Sequence, residues 1–298
     1  MPSIPRAAWT TRRAAASRRG TIPAPDAPGR LTAEALLARL SRRQAVEQPV
    51  AIVVAHPDDE TLGAGAVLPL FRRLLLVQVT DGAPQNLSDA RAAGFDTASD
   101  YAAARQRELD AALSIGGARA ERATLGAPDQ GASLDMAGLA RSLAARLRDH
   151  GAQAVLTHAY EGGHPDHDAV AFLARAAATL LARMGEAPAL IEMPFYHAAP
   201  EGWTIGRFLP GGPAATVLAL TPEEVARKRA MLAAFATQAA TLAQFPVGEE
   251  FFRPGPAHDF TAPPHEGTLL YERYPWGMDG ARWRHLAAEA RRTLDLPA

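Results

Sequence analysis

From residue 49 onward the chain alternates between short, continuous apolar runs and longer stretches whose apolar residues recur at helical spacing. The runs are PVAIVVA (49–55), RLLLVQVTDG (73–82), QAVLTHAY (153–160), ALIEMPFY (189–196) and ATVLALT (215–221). They lack polar alternation and are rich in branched side chains, so they predict strands buried on both faces. The intervening stretches LGAGAVLPLFRR (62–73), ASDYAAARQRELDAALSIGG (98–117), DMAGLARSLAARLRDHG (135–151) and HDAVAFLARAAATLLARMG (167–185) predict helices. A longer helix is expected over 221–245, with Thr221 as N-cap and Pro222 at the first helical position. Strands that alternate with helices of ten or more residues predict an α/β fold. We expect a single, mostly parallel, twisted Rossmann-like sheet with helices on both faces and ligands beyond the carboxyl ends of its strands.

Outside this alternation, LTAEALLARLSRRQAVE (31–47) reads as an amphipathic helix covering an edge, and ARWRHLAAEARRTL (281–294) as a closing helix. Residues 1–30 carry Arg12, Arg13, Arg18 and Arg19 among Ala, Ser, Pro and Gly, which predicts a flexible basic arm. The domain proper is expected over 31–298. Its stretch from about 246 onward is rich in Pro, Gly and aromatic residues, and reads as an ordered cover for one end of the sheet.

Composition narrows the chemistry. Of 298 residues, 48% are hydrophobic and 21% charged, with formal charge -1, so no global charge draws the chain to nucleic acid or acidic membranes. There is no cysteine, which excludes disulfides, thiolate metal sites and a cysteine nucleophile. No apolar run reaches the length of a transmembrane span, and the arginines near the start have no apolar segment of a signal peptide behind them, so a cytoplasmic location is expected.

Two clusters interrupt this ordinary pattern. AHPDDETLG (55–63) leaves the first strand, and EGGHPDHD (161–168) leaves the third run. Grouped carboxylates repel one another, and a bound cation removes the repulsion. Pro57 and Pro165 bias the preceding histidines to extended backbone, so each strand end presents an imidazole at the same rim. Imidazole nitrogen and carboxylate oxygen suit a divalent metal, and catalytic sites use three protein ligands while leaving a position open. Paired helix-capping turns, with Asp166 or Asp168 as the cap, are the competing account. Glu60, an acid in a first helical turn, is explained by the helix dipole. No G-x-G-x-x-G follows the first strand, which argues against a dinucleotide site.

The pair AHPDDETLGAG and GGHPDHDA resembles the signature of the PIG-L/LmbE-like family of metal-dependent N-deacetylases, whose members act on N-acetylglucosaminyl-phosphatidylinositol and on the mycothiol and bacillithiol precursors. VTDG at 79–82, RQREL at 105–109, LGAPD at 125–129 and KRAMLAAFATQ at 228–238 follow in the family's order. The resemblance implies His56, Asp59 and His167 as ligands of Zn(II), with Fe(II) also accommodated, and Asp58 as general base. It implies that His164 stabilises the oxyanion, with Asp166 either holding it charged or capping the helix. Arg105 and Asp129 correspond to residues that contact the sugar. The implied reaction is hydrolytic N-deacetylation of an N-acetylglucosamine-type amino sugar. Another amide or ester substrate, or a non-catalytic sugar-binding relative, are the alternatives. Phe235 stands where many relatives carry a histidine, and Tyr160, Glu161 and Gly162 differ from the mycothiol-type enzymes, which leaves the acceptor open.

Overall fold

Strands β1 (Val50–Val54), β2 (Leu74–Pro84), β3 (Ala120–Asp129), β4 (Ala154–His158) and β5 (Ala189–Met193) form the parallel part of one sheet. β6 (Tyr196–Ala198) and β7 (Trp203–Ile205) make a separate antiparallel hairpin. β8 (Thr216–Ala219) and β9 (Glu249–Pro254) extend the main sheet antiparallel, giving the order β3-β2-β1-β4-β5-β9-β8. The computed structural model of the chain describes residues 30–297, so the expected basic arm lies, up to residue 29, outside the described residues. Residues 31–298 cluster as one unit.

The helices are α1 (Ala33–Ser41), α2 (Asp59–Ala64), α3 (Ser88–Ala92), α4 (Ala98–Gly116), α5 (Met136–His150), α6 (Pro165–Ala182), α7 (Pro222–Ala233), α8 (Ala239–Leu242) and α9 (Gly280–Thr293). Side chains alternate across a strand, and β1 divides its residues accordingly. Ala51 and Val53 face a core shared with α5, α6 and α9, whereas Val50, Ile52 and Val54 face one shared with α1, α4 and α7. Both faces of the sheet are therefore covered, as expected for parallel strands. No helix among the described residues is long and apolar enough to cross a membrane.

Several elements differ from the pattern read along the chain. The helix expected over 62–73 is instead the short α2, which begins at Asp59 inside the acidic cluster, followed by a 3-10 turn at Leu68–Leu70. Gly63, Gly65 and Pro69 account for the early stop. The long helix of 221–245 breaks at Phe235, whose backbone leaves the helical region at φ -86° and ψ 67°. Its start is as expected, with Thr221 and Glu224 forming a reciprocal capping box ahead of Pro222. The fifth apolar run is not buried on both faces: it forms the edge strand β8, where Leu218 is buried and Val217 is 49% exposed. The C-terminal cover contributes a strand of its own, β9, which links β5 to β8.

Candidate active site

The strand order reverses direction at β1 and β4, which lie side by side in the middle of the sheet. Open α/β sheets bind ligands in the crevice at such a switch point, and both acidic clusters emerge there.

The β1 corner is tightly wound. The backbone N–H of His56 donates to Asp59 Oδ2 at 2.7 Å, and that of Asp58 donates to Glu60 Oε2 at 3.1 Å. Asp58 itself adopts φ 131°, a conformation that costs a side-chain-bearing residue about 1–3 kcal/mol and is kept where function requires it. Arg105 supports the strained turn from α4. Its Nη2 donates to Pro57 O and to Asp58 Oδ2, both at 2.8 Å, and its Nη1 to Gly82 O at 2.6 Å. Burial pushes the Asp58 carboxyl up to about 8 against the opposing pull of Arg105, and burial pushes Glu60 up to about 7.

The β4 corner is built differently. Gly162 takes φ +71°, and at Gly163 a Cβ would overlap the carbonyl oxygen of Tyr196, so the chain can pass only as glycine. His164 then caps α6, its Nδ1 accepting the backbone N–H of Asp166 at 3.1 Å. That bond requires the proton on Nε2. Burial, with His56 nearby, pushes His164 down to about 3, which leaves a neutral imidazole with an Nε2–H donor. The bond between the two residues runs from the Asp166 backbone N–H to the His164 ring, not from the ring to the Asp166 carboxylate. Asp166 accepts from the backbone N–H groups of Gln130 (2.6 Å) and Ala132 (3.0 Å), securing the loop after β3, and neither Asp166 nor Asp168 is the helix cap. Asp168 accepts from Glu161 N and Gly162 N, and Glu161 from Phe195 N and Tyr196 N.

These two corners bring the predicted ligands together. Asp59 Oδ2 lies 3.4 Å from His56 Nδ1, and Asp59 Oδ1 lies 3.4 Å from His167 Nε2. Donor atoms of His56, His164 and His167 lie within 4.8 Å of one another, as do those of Asp59, His158 and His167. His158, the last residue of β4, was not singled out in the sequence. Its Nε2 accepts the N–H of Ala55 at 2.9 Å and sits 3.4 Å from Asp59 Oδ2, and its ring stacks on His167 at 4.1 Å. The signal that could have found it is a histidine closing a buried run, one strand away from His56. Asp129, at the end of β3, places Oδ1 3.3 Å from His56 Nε2. Arg105 and Asp129 both border the site; Arg105 Nη1 and Nη2 are bonded to Asp58 and two carbonyls, and its Nε has no hydrogen-bond partner.

A cation fits this donor set. His56 Nε2, Asp129 Oδ1 and His167 Nδ1 are buried polar atoms with no hydrogen-bond partner. Burial alone would push His56 down, yet Asp129, Asp166 and Asp59 around it hold its pKa well above the usual value, so the carboxylates already draw positive charge into the site. Burial pushes His167 down to about 3, keeping its nitrogen lone pair available. Nitrogen and oxygen donors of this kind suit Zn(II) and Fe(II).

The site opens into a cleft of about 270 Å³, whose lining includes Asp58, Arg105, His164 and His167 together with Tyr196, Trp203, Tyr274 and Trp276. Behind it, Trp283 of α9 is fully buried and donates its indole N–H to Pro165 O at 3.0 Å, tying the C-terminal helix to the start of α6.

Fold and site together define an α/β domain with a histidine–carboxylate centre at the sheet's switch point. Residues 51–178 match the family described as PIG-L: GlcNAc-PI de-N-acetylase, which supports at the family level the resemblance carried by the two motifs. Among solved structures, a deacetylase of the teicoplanin biosynthetic pathway is 22% identical with TM-score 0.53, over 70% of this chain and 97% of that one. The A40926 pseudoaglycone deacetylase Dbv21 is 19% identical with TM-score 0.51, over 72% and 100% of the respective chains. A conserved protein from Thermus thermophilus is 21% identical with TM-score 0.50, over 70% and 94%. At these identities the likeness establishes the fold. No curated protein matches the chain.

Proposed function

We propose that the chain is a metal-dependent N-deacetylase that removes acetyl from an N-acetylglucosamine-type amino sugar. The observation that carries this reading is the position of Asp59, 3.4 Å from both His56 and His167, in a cleft that Asp58 and His164 also line. The match of residues 51–178 to the de-N-acetylase family supports the reaction class.

His56, Asp59 and His167 would hold a divalent ion, which would supply Lewis acidity to the attacking water and the amide carbonyl. Asp58 acts as general base. It takes a proton from the attacking water at its carboxylate and returns it to the leaving nitrogen. Arg105 fixes the carboxylate's direction through the bond to Oδ2, so one oxygen is held and the other is left to face the reaction. His164 donates its Nε2–H to the oxygen on which negative charge develops, as a neutral rather than a cationic donor. Asp129, 3.3 Å from His56 at the end of β3, would accept a hydrogen bond from a sugar hydroxyl.

The test is release of free amine from N-acetylglucosamine derivatives by zinc-loaded full-length protein, with a chelator-treated control. Metal-dependent release supports the proposal; no release from any derivative by protein with metal shown to be bound overturns it.

A further inference from the structure

Beyond the hydrolytic residues, the cleft has a second wall that the two motifs do not supply. Tyr196 and Trp203, on the two strands of the β6–β7 hairpin, stack with centroids 5.0 Å apart and planes 28° apart. Tyr274 and Trp276, from the C-terminal cover, stack at 4.7 Å and 15°. The pairs meet edge to face between Trp203 and Tyr274, at 6.4 Å and 86°, forming a corner. All four rings are half-buried, and Trp276 lies 4.7 Å from the ring of His164, so the corner begins where the hydrolytic site ends.

The corner is held in shape. Arg273, just before Tyr274, donates to Gly202 O at 3.2 Å and Ala199 O at 3.1 Å, fastening the cover to the turn of the hairpin that carries Trp203. The same cleft is also lined by the uncharged polar side chains of Gln130, Gln238 and Thr241. Among the described residues lining the cleft, the sole guanidinium or ammonium group is that of Arg105, already bonded to Asp58 and two carbonyls, whereas Asp89 adds a carboxylate.

We infer that this corner is a second sugar subsite, which takes a neutral pyranose joined to the N-acetylated one; the inference rests on the deacetylase reading above. A pyranose offers C–H faces to aromatic rings and hydroxyls to amide and hydroxyl side chains, and both kinds of group line this cleft. A phosphate-linked acceptor would find beside this corner no lysine and no arginine other than Arg105, so it would lose solvation with little charge to replace it. The substrate is accordingly a neutral oligosaccharide, with Trp203 and Tyr274 setting specificity.

The experiment compares kcat/KM of the zinc-loaded full chain for N-acetylglucosamine, N,N'-diacetylchitobiose, N-acetylglucosamine 1-phosphate and phenyl N-acetyl-β-glucosaminide. The disaccharide is expected to lead the monosaccharide by about tenfold, chiefly through KM, with the phosphate poorest. The ratio of disaccharide to monosaccharide should collapse toward unity in Trp203→Ala and Tyr274→Ala and be largely restored in Trp203→Phe, with circular dichroism confirming that each variant is folded. A lead for the phosphate or the phenyl glycoside overturns the inference, as does an undiminished ratio in both alanine variants. If no substrate releases amine, the deacetylase reading fails by itself. Calorimetric titration with the disaccharide then decides the subsite: binding weakened by Trp203→Ala upholds it, and no binding overturns it.

Discussion

The two histidine-containing turns share the tripeptide His-Pro-Asp and divide its labour in opposite ways. At the β1 corner the acids Asp58 and Asp59 line the cleft, the backbone is strained at Asp58, and Arg105 and Glu60 hold the turn. At the β4 corner the imidazoles face the cleft and the acids hold the backbone, with Glu161, Asp166 and Asp168 each accepting two main-chain N–H groups. Identical residue types at similar spacing therefore do not imply identical roles. What separates them is backbone geometry: His164 is extended and can cap α6 with its own ring, whereas the positive φ of Asp58 turns its carboxylate toward the cleft.

The sharpest way to break this comparison is to change one reacting group at each corner. Asp58→Asn should lower turnover by about 10²–10⁴-fold while leaving bound metal in place. His167→Ala should lose both turnover and metal, read by amine release and by metal analysis of the dialysed protein. A fully active Asp58→Asn enzyme would remove Asp58 from the role of base.

Supports come next. Arg105→Ala leaves the Asp58 carboxylate buried without its counter-charge, and we expect about 3–5 kcal/mol loss of stability in urea unfolding. The equivalent test at the β4 corner is milder: Asp168→Ala strands the N–H groups of Glu161 and Gly162, costing about 1–3 kcal/mol for a buried donor left unsatisfied. Asp168→Asn, which keeps an acceptor oxygen, should lose less than the alanine variant. If Asp168→Ala proved neutral, the division of labour between the corners would need revision.

The smallest expected effect has the opposite sign. Burial holds the Glu161 carboxyl well above its usual pKa. The folded protein therefore keeps this proton to higher pH than the unfolded chain does, so the contribution of Glu161 to stability is full at low pH and is lost as pH rises through its folded pKa. Glu161→Gln retains the oxygen that accepts from Phe195 N and Tyr196 N. It should raise the melting temperature at pH 8, and the gain should fade as pH falls toward the usual glutamate range. A gain that grows on acidification would contradict this.

Much of this arrangement was legible from apolar patterning and motif position. The four central strands β1, β2, β4 and β5 carry continuous apolar runs because they are covered on both faces, and α4, α5 and α6 stand close to their expected bounds. β3 was harder to see because it is an edge strand, and in AERATLGAPD polar residues break the apolar pattern. The C-terminal strand β9 was hidden among prolines and aromatic residues. The first cluster could be read as a site from charge density alone. His158 could not, since a buried histidine at a strand end has the same local pattern as one packed in a core. Nor could the second corner's use of acids as backbone acceptors, because it depends on how β3 and the chain after β5 approach α6 in space.

Gly163 carries a consequence for how related chains are read. Because a Cβ there would collide with the Tyr196 carbonyl, the position tests whether a chain can close this corner at all. A paralogue that keeps both histidines of the second motif but has alanine or serine at the position equivalent to Gly163 must displace the strand bearing Tyr196. It would retain the recognisable letters of a hydrolase while having lost the enclosure that gives them meaning. A survey of genomes for this fold would gain discrimination by weighting that one glycine alongside the histidines.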